Sequence, residues 1–192
     1  MSLSPDFQIG LWTGWWFSAA YGLINLIILA TSQKGFPRRL FLFPQFTSLK
    51  EKIISMSSVF LFGRGMIIYT VFVPLRFNTV WFPAGTAFFI LGLSVHTMAM
   101  VHFAATPPDR PVTKGVYRFS RHPMQVIAIL MWLGVGMATA SWVIILACCI
   151  QVFLSRGFLI AQERFCIKKY GEKYREYMEK TPRYFPFLKH KL

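Results

Sequence analysis

Val112-Thr-Lys-Gly-Val-Tyr-Arg-Phe-Ser-Arg-His-Pro-Met-Gln125 is a polar, basic segment that separates two long apolar regions of the chain. We call it the basic segment. Pro123 is well placed to begin the next helix, because its fixed φ suits the first helical position and no N–H is needed there. Such a helix start presents backbone N–H groups and the positive end of its dipole to the basic segment. A carboxylate or phosphate could bind there; a cytoplasmic loop whose charges only set the membrane topology is the alternative.

The composition is that of a membrane protein. Of the 192 residues, 55% are hydrophobic and 15% are charged, and the net charge is +14. The apolar runs are long enough to cross a bilayer, so basic loops of a membrane protein explain this charge better than nucleic-acid binding does. The length fits a single domain, residues 1–192. Two of the three cysteines, Cys148 and Cys149, are adjacent in an apolar run, so neither a disulfide framework nor a metal site is indicated.

The apolar pattern predicts an all-α integral membrane protein with about five transmembrane helices. The first three spans are predicted at residues 12–31, 53–75 and 79–104. Residues 123–160 are too many for one span and barely enough for two. We therefore predict a helical hairpin there, which turns near residues 136–141 and whose first arm is short.

Lysine and arginine are distributed unevenly along the chain. Five lie in the loop of residues 32–52, four in residues 110–121, and ten from Arg156 onward. With five spans, all three of these regions fall on one side of the membrane. The positive-inside rule then predicts that the N-terminus is outside and the C-terminus is cytosolic.

The chain ends in a polar, helical tail, which begins near residue 155 and is predicted to break at Gly171 and to stop at Pro182. One face of this tail carries a carboxylate and three phenol rings at helical spacing: Glu163, Tyr170, Tyr174 and Tyr177. Such a stripe is typical of packing. If the tail folds back over the basic segment, the same groups could bind a cationic ligand through ring faces and charge.

Three basic side chains lie within the first three predicted spans. Arg64 is in mid-span, where a charge either has a partner or a cavity or extends to the interface. His96 is expected to make a hydrogen bond between helices. His102 lies at the end of the third span, beside the basic segment, and is the better candidate for ligand contact.

Five motifs carry a resemblance to a known superfamily. They are Val112-Thr-Lys-Gly-Val-Tyr117, Arg121-His-Pro123, Gln162-Glu163, Tyr170-Gly-Glu-Lys-Tyr-Arg-Glu-Tyr177 and Pro182-Arg-Tyr-Phe-Pro186. In this order and spacing they resemble the isoprenylcysteine carboxyl methyltransferase and phospholipid methyltransferase superfamily, integral membrane enzymes that use S-adenosylmethionine. The motifs lie between residues 100 and 187. Residues 77–192 therefore resemble the methyltransferase core, and residues 1–76 hold two N-terminal spans.

The resemblance implies a cytosolic cofactor pocket. Its walls would be the end of the third span, the basic segment, the start of the fourth helix and the tail. By this resemblance S-adenosylmethionine would be bound, and S-adenosylhomocysteine released, by His102, Lys114, Gly115, Val116, Tyr117, His122, Pro123, Met124, Gln125, Gln162 and Tyr170. Glu163 and Arg121 are the predicted catalytic residues, and no metal is implied.

Two positions depart from the superfamily pattern. Gln125 stands where members often have tyrosine, two residues after Arg-His-Pro. Phe158 stands where the prenylcysteine enzymes have an arginine, four residues before the acidic pair. That arginine would suit a substrate carboxylate, so its replacement weakens the prediction of a prenylcysteine substrate.

The predicted acceptor is a lipophilic small molecule that arrives from the bilayer. A sulfonium already activates its methyl group, so the protein mainly has to align the reactants and exclude water. A carboxylate acceptor needs no general base, whereas an amine or a thiol could use Glu163. Two alternatives are an NADPH-dependent reductase of the sterol-reductase kind and a transporter; the transporter is disfavoured because the sequence has no paired broken helices.

Overall fold

The computed structural model describes residues 7–32, 36, 44 and 46–184. In this part of the chain the fold is helical, as predicted, and the β pairing is limited to one isolated bridge. The helices are α1 (Trp15–Thr31), α2 (Leu49–Phe72, with a π-helical turn at Leu61–Gly65), α3 (Trp81–Ala105), α4 (Pro123–Ala138), α5 (Trp142–Tyr170) and α6 (Glu172–Lys180). The basic segment contains one 3₁₀ turn, Gly115–Arg118.

The second helix begins four residues earlier than the sequence predicts, so the predicted bounds of 53–75 are wrong. Ser48 caps its N-terminus by accepting a hydrogen bond of 3.1 Å from the Glu51 N–H. The Glu51 carboxylate accepts bonds from the main-chain N–H and the hydroxyl of Thr47 and pairs with Arg164 of α5 at 3.1 Å. These polar contacts stabilise the first turn of α2. The apolar pattern alone assigns the residues of this turn to the preceding loop, residues 32–52.

Arg64 lies in the π-helical turn of α2, between Gly63 and Gly65. The helix continues through this turn. The Arg64 guanidinium lies 5.2 Å from the centre of the Phe60 ring on the exposed side of α2. A cation–π contact of this kind is favourable.

Helices α3 and α4 cross at very short range. A Cβ on Gly85 would lie 2.3 Å from the carbonyl oxygen of Gly134, and a Cβ on Gly134 would lie 2.6 Å from that of Gly85. Backbone therefore packs directly on backbone, which only glycine permits, as at small-residue crossings of membrane helices. This crossing lies near the start of α3 and the end of α4.

The predicted hairpin is confirmed. The turn between α4 and α5 occupies residues 139–141, and the Ser141 N–H donates to the Gly136 carbonyl at 2.8 Å. The break at Gly171 is also confirmed, because its φ of 58° ends α5 and begins α6. Glycine adopts this left-handed backbone without the steric cost that other residues incur.

Five apolar helices occupy the five predicted places. Three of the described helices, α2, α3 and α5, are long and apolar enough to cross a membrane. The other two, α1 and α4, are apolar but have 17 and 16 residues. At 1.5 Å per residue each is about 25 Å long, a little less than the hydrocarbon core of a typical bilayer. The count of five spans therefore stays a prediction.

Candidate functional site

The tail folds back onto the basic segment, as predicted, for the residues up to 184. The Tyr177 hydroxyl donates to the Tyr117 carbonyl at 2.6 Å. The Arg121 N–H donates to the Pro182 carbonyl at 3.0 Å, and the Ser120 hydroxyl donates to the Arg183 carbonyl at 3.0 Å. Residues 185 and 186, which end the last motif, lie outside the described residues.

The start of α4 faces this junction. Pro123 is its first residue, as predicted, and His122 precedes it with φ of −128°. The Ser120 hydroxyl accepts a hydrogen bond of 3.1 Å from the His122 N–H and so holds the chain in place before the helix begins. The positive end of the α4 dipole therefore points toward the tail.

A cavity of about 220 Å³ lies between the basic segment, the ends of α3 and α4, α5 and the tail. Seven of its eighteen described lining residues are phenylalanine or tyrosine, and Arg121, His122 and Lys169 bring nitrogen donors to it. None of the described residues that line it is acidic. The full lining is Pro44, Phe103, Pro111, Val112, Tyr117, Arg121, His122, Pro123, Met124, Gln125, Phe158, Gln162, Phe165, Cys166, Lys169, Tyr170, Tyr174 and Tyr177.

The cavity brings together eight of the thirteen predicted site residues. These are Tyr117, Arg121, His122, Pro123, Met124, Gln125, Gln162 and Tyr170. The other five, His102, Lys114, Gly115, Val116 and Glu163, are not part of its lining. Their roles stay predictions.

His102 and Gly115 lie against each other and are not part of the cavity lining. Gly115 has φ of 61°, and a Cβ on it would lie 2.3 Å from Nε2 of His102. The other ring nitrogen, Nδ1–H, donates to the Met98 carbonyl at 2.6 Å. Since a side chain at position 115 would collide with the imidazole, glycine is needed there for packing as well as for its backbone.

Glu163 lies at the centre of a buried cluster of charges. Arg183 donates two hydrogen bonds to its carboxylate, from Nε to Oε1 at 3.1 Å and from Nη2 to Oε2 at 2.7 Å. Nε2 of His122 and Nη1 of Arg121 each lie 3.2 Å from Oε1. The cluster joins the basic segment, α5 and the end of the tail. Glu163 therefore has the geometry of a positioning residue, and its catalytic role stays a prediction.

Arg121 is the cavity residue whose hydrogen bonding is incomplete. Its side chain is only 11% exposed. Its Nε and Nη1 atoms are buried, and neither donates a hydrogen bond to the described residues, because the 3.2 Å contact with Glu163 is poorly aligned. A buried guanidinium with unused donors is costly unless an anion pairs with it.

A family model of phospholipid methyltransferases matches residues 84–173, from α3 to the first turn of α6. The match covers 90 of the 192 residues, and over this part the chain is similar to the family. The family is in the same superfamily of integral membrane methyltransferases as isoprenylcysteine carboxyl methyltransferase, so the resemblance read from the motifs is confirmed. Together with the apolar helices, this similarity indicates a membrane methyltransferase. No curated protein matches the chain.

Burial sets the protonation of the groups around the cavity. It lowers the pKa of His122 below its ordinary value, so the imidazole is neutral near pH 7 and donates its Nε2–H to Glu163. Burial also raises the pKa of Tyr174 and Tyr177, so both phenols stay protonated. The hydrogen bonds to Glu163 raise the pKa of Arg183, which stays charged.

Sequence reasoning missed several residues of the site. Arg183 lies inside the Pro-Arg-Tyr motif, but no local signal shows that it reaches Glu163. The other cavity residues of α5 could have been found, because Phe158, Phe165, Cys166 and Lys169 share one helical face with the predicted Gln162. Phe103, near the end of α3, is one position beyond His102, which was predicted instead.

Proposed function

We propose that the protein transfers a methyl group from S-adenosylmethionine to a lipophilic acceptor and releases S-adenosylhomocysteine. The observation that carries this proposal is the buried Arg121 guanidinium, which has two unused donors and lines the cavity. Arg121 lies inside the part of the chain that matches the methyltransferase family. A ligand that combines a carboxylate with a cation and a flat ring fits this lining.

Each part of the cofactor has a counterpart in the cavity wall. Arg121 and the start of α4 would hold the carboxylate, because charge-assisted hydrogen bonds and the helix dipole both favour an anion there. The rings of Tyr117, Tyr170 and Tyr174 would face the sulfonium, since ring faces attract cations. Apolar side chains such as Met124 would pack against the adenine.

When bound, the cofactor supplies a methyl group that its sulfonium has already activated for displacement. The protein's own contribution is to align the acceptor and to keep water out. Phe103, Phe158 and Phe165 make part of the wall apolar, which suits a lipophilic acceptor from the bilayer. Since Glu163 is held by Arg183 and Arg121 and does not line the cavity, an acceptor that needs no general base is favoured. A carboxylate, as in isoprenylcysteine carboxyl methylation, is such an acceptor.

Ligand binding to the purified protein tests this proposal. In detergent, we expect saturable calorimetric binding of S-adenosylhomocysteine and S-adenosylmethionine and none of NADPH. A screen of labelled methyl transfer over lipid acids, thiols and amines would then identify the acceptor. Binding of NADPH alone would support the reductase alternative and overturn the proposal.

The proposal places the cavity on the cytosolic side, with the N-terminus outside. Single cysteines in a background without the native three test this orientation by labelling intact cells with an impermeant probe. We expect a cysteine at Ala140, in the turn between α4 and α5, to react from outside. A cysteine at Arg118, an exposed residue of the basic segment, should react only after permeabilisation. The reverse pattern would contradict the positive-inside assignment.

A further inference from the structure

The charges around Glu163 do not balance. Two guanidinium groups, Arg121 and Arg183, contact one carboxylate, and His122 is neutral. The buried cluster therefore carries one excess positive charge. Because an uncompensated buried charge is costly, this excess indicates an anionic ligand beside the cluster.

The two arginines share Glu163 unequally. Arg183 uses two well-aligned hydrogen bonds and contacts both carboxylate oxygens. Arg121 has one poorly aligned contact, and its Nε and Nη1 donors are unused. The excess positive charge therefore resides on Arg121, which lines the cavity, whereas Arg183 is not part of the lining.

We propose that Arg183 is a positioning residue that keeps Arg121 available for the carboxylate of the cofactor. Arg183 binds the Glu163 carboxylate through two hydrogen bonds and so prevents Glu163 from pairing fully with Arg121. The inference rests on the proposed function, in which Arg121 binds the cofactor's carboxylate. It also means that the cofactor site is complete only when the end of the tail is docked.

The tail does not depend on the Arg183 side chain alone for its position. The Ser120 hydroxyl bonds to the main-chain carbonyl of Arg183, and the Arg121 N–H bonds to that of Pro182. The Tyr177 hydroxyl bonds to the Tyr117 carbonyl. These three contacts involve no atom of the Arg183 side chain, so a substitution there can change the charge on the cluster while the tail stays docked.

The experiment compares two probes on the full-length protein in detergent. S-Adenosylhomocysteine carries the carboxylate, and 5′-methylthioadenosine keeps the nucleoside and the sulfur but lacks the amino-acid part that bears this carboxylate. For Arg183→Gln we expect the affinity for S-adenosylhomocysteine to fall on the order of tenfold, the effect of one charge-assisted hydrogen bond, because Glu163 then pairs with Arg121. The affinity for 5′-methylthioadenosine should be unchanged.

A double variant separates positioning from structural support. In Arg183→Gln with Glu163→Gln, no carboxylate remains to occupy Arg121, and the excess charge of the cluster is restored. We expect the affinity for S-adenosylhomocysteine to recover most of the loss. Arg175→Gln is the matched control, because Arg175 is an exposed tail arginine that pairs with Glu172 at 3.8 Å.

The outcomes distinguish the two proposals. If the wild-type protein binds neither probe, the proposed function fails. If it binds both but Arg183→Gln retains full affinity for S-adenosylhomocysteine, the positioning role is wrong. The role is also wrong if both probes weaken equally or if the double variant does not recover, because Arg183 would then only support the fold of the tail.

Discussion

Replacing Arg121 with glutamine is expected to weaken the binding of S-adenosylhomocysteine by about a hundredfold. The guanidinium is buried, and two of its donors are unused by the described residues. Two charge-assisted hydrogen bonds to a carboxylate would together contribute about 3 kcal/mol or more, which corresponds to this factor. Calorimetry would measure the loss, and 5′-methylthioadenosine, which has no carboxylate, should bind the variant as it binds the wild type.

The same substitution should not destabilise the ligand-free protein. Arg121→Gln removes the excess buried charge and leaves Glu163 paired with Arg183, so the thermal midpoint in detergent should stay the same or rise. Arg118→Gln is the matched control, since Arg118 is an exposed cation of the same segment that does not line the cavity. A fall in midpoint for Arg121→Gln, with equal weakening of both ligands, would show that Arg121 supports the fold instead of binding a carboxylate.

Much of the backbone frame of this site could be predicted from the sequence, because the residues that create it act locally. Pro123 begins α4 because its own ring determines the backbone there. Gly171 separates α5 from α6 because it tolerates a positive φ. Tyr174 and Tyr177, two residues of the predicted aromatic face of the tail, are buried, as their helical spacing allows. The hydrogen bond from Tyr177 to Tyr117 holds the tail on the basic segment.

The charge pairing could not be predicted, because it depends on distances that local patterns do not contain. Arg183 is 20 residues from Glu163 in the sequence and reaches it only because the end of the tail is bonded to the basic segment. Glu163 was predicted as a catalytic carboxylate by its place beside Gln162, whereas its cationic neighbours come from two other segments. The start of α2 is a different case, because the sequence does contain a local signal for it. Ser48 and Glu51 have the spacing of a capping box, but the span was predicted from its apolar residues alone and so begins at residue 53.

The second large effect is expected at the crossing of α3 and α4. Gly134→Ala would place a methyl group 2.6 Å from the Gly85 carbonyl oxygen and 2.8 Å from the Phe89 nitrogen. Both are backbone atoms of a helix, so the methyl group can be accommodated only if the helices move apart. Overpacking of this kind costs about 1–3 kcal/mol, and we expect a clear fall in the thermal midpoint in detergent.

Gly22→Ala provides the control, because a Cβ on this glycine of α1 meets nothing within 4 Å. Alanine is the better helix former by about 1 kcal/mol, so this variant should be as stable as the wild type or more stable. A glycine-to-alanine change is thus expected to lower the thermal midpoint at Gly134 but not at Gly22. The difference between the two midpoints measures the effect of the close contact between the backbones of α3 and α4. Equal midpoints for the two variants would contradict the close crossing.

The crossing should also affect the cavity, although Gly134 lies 11 residues from Pro123, about 16 Å along α4. Phe103 near the end of α3 and His122 before α4 are both in the cavity wall. Because helices move largely as rigid bodies, a shift at the crossing changes the separation of these two walls. We therefore expect Gly134→Ala to weaken both S-adenosylhomocysteine and 5′-methylthioadenosine, unlike Arg121→Gln, which should weaken only the ligand that carries a carboxylate. A variant of Gly134 that loses stability but binds both ligands normally would show that the wall is positioned by the tail instead.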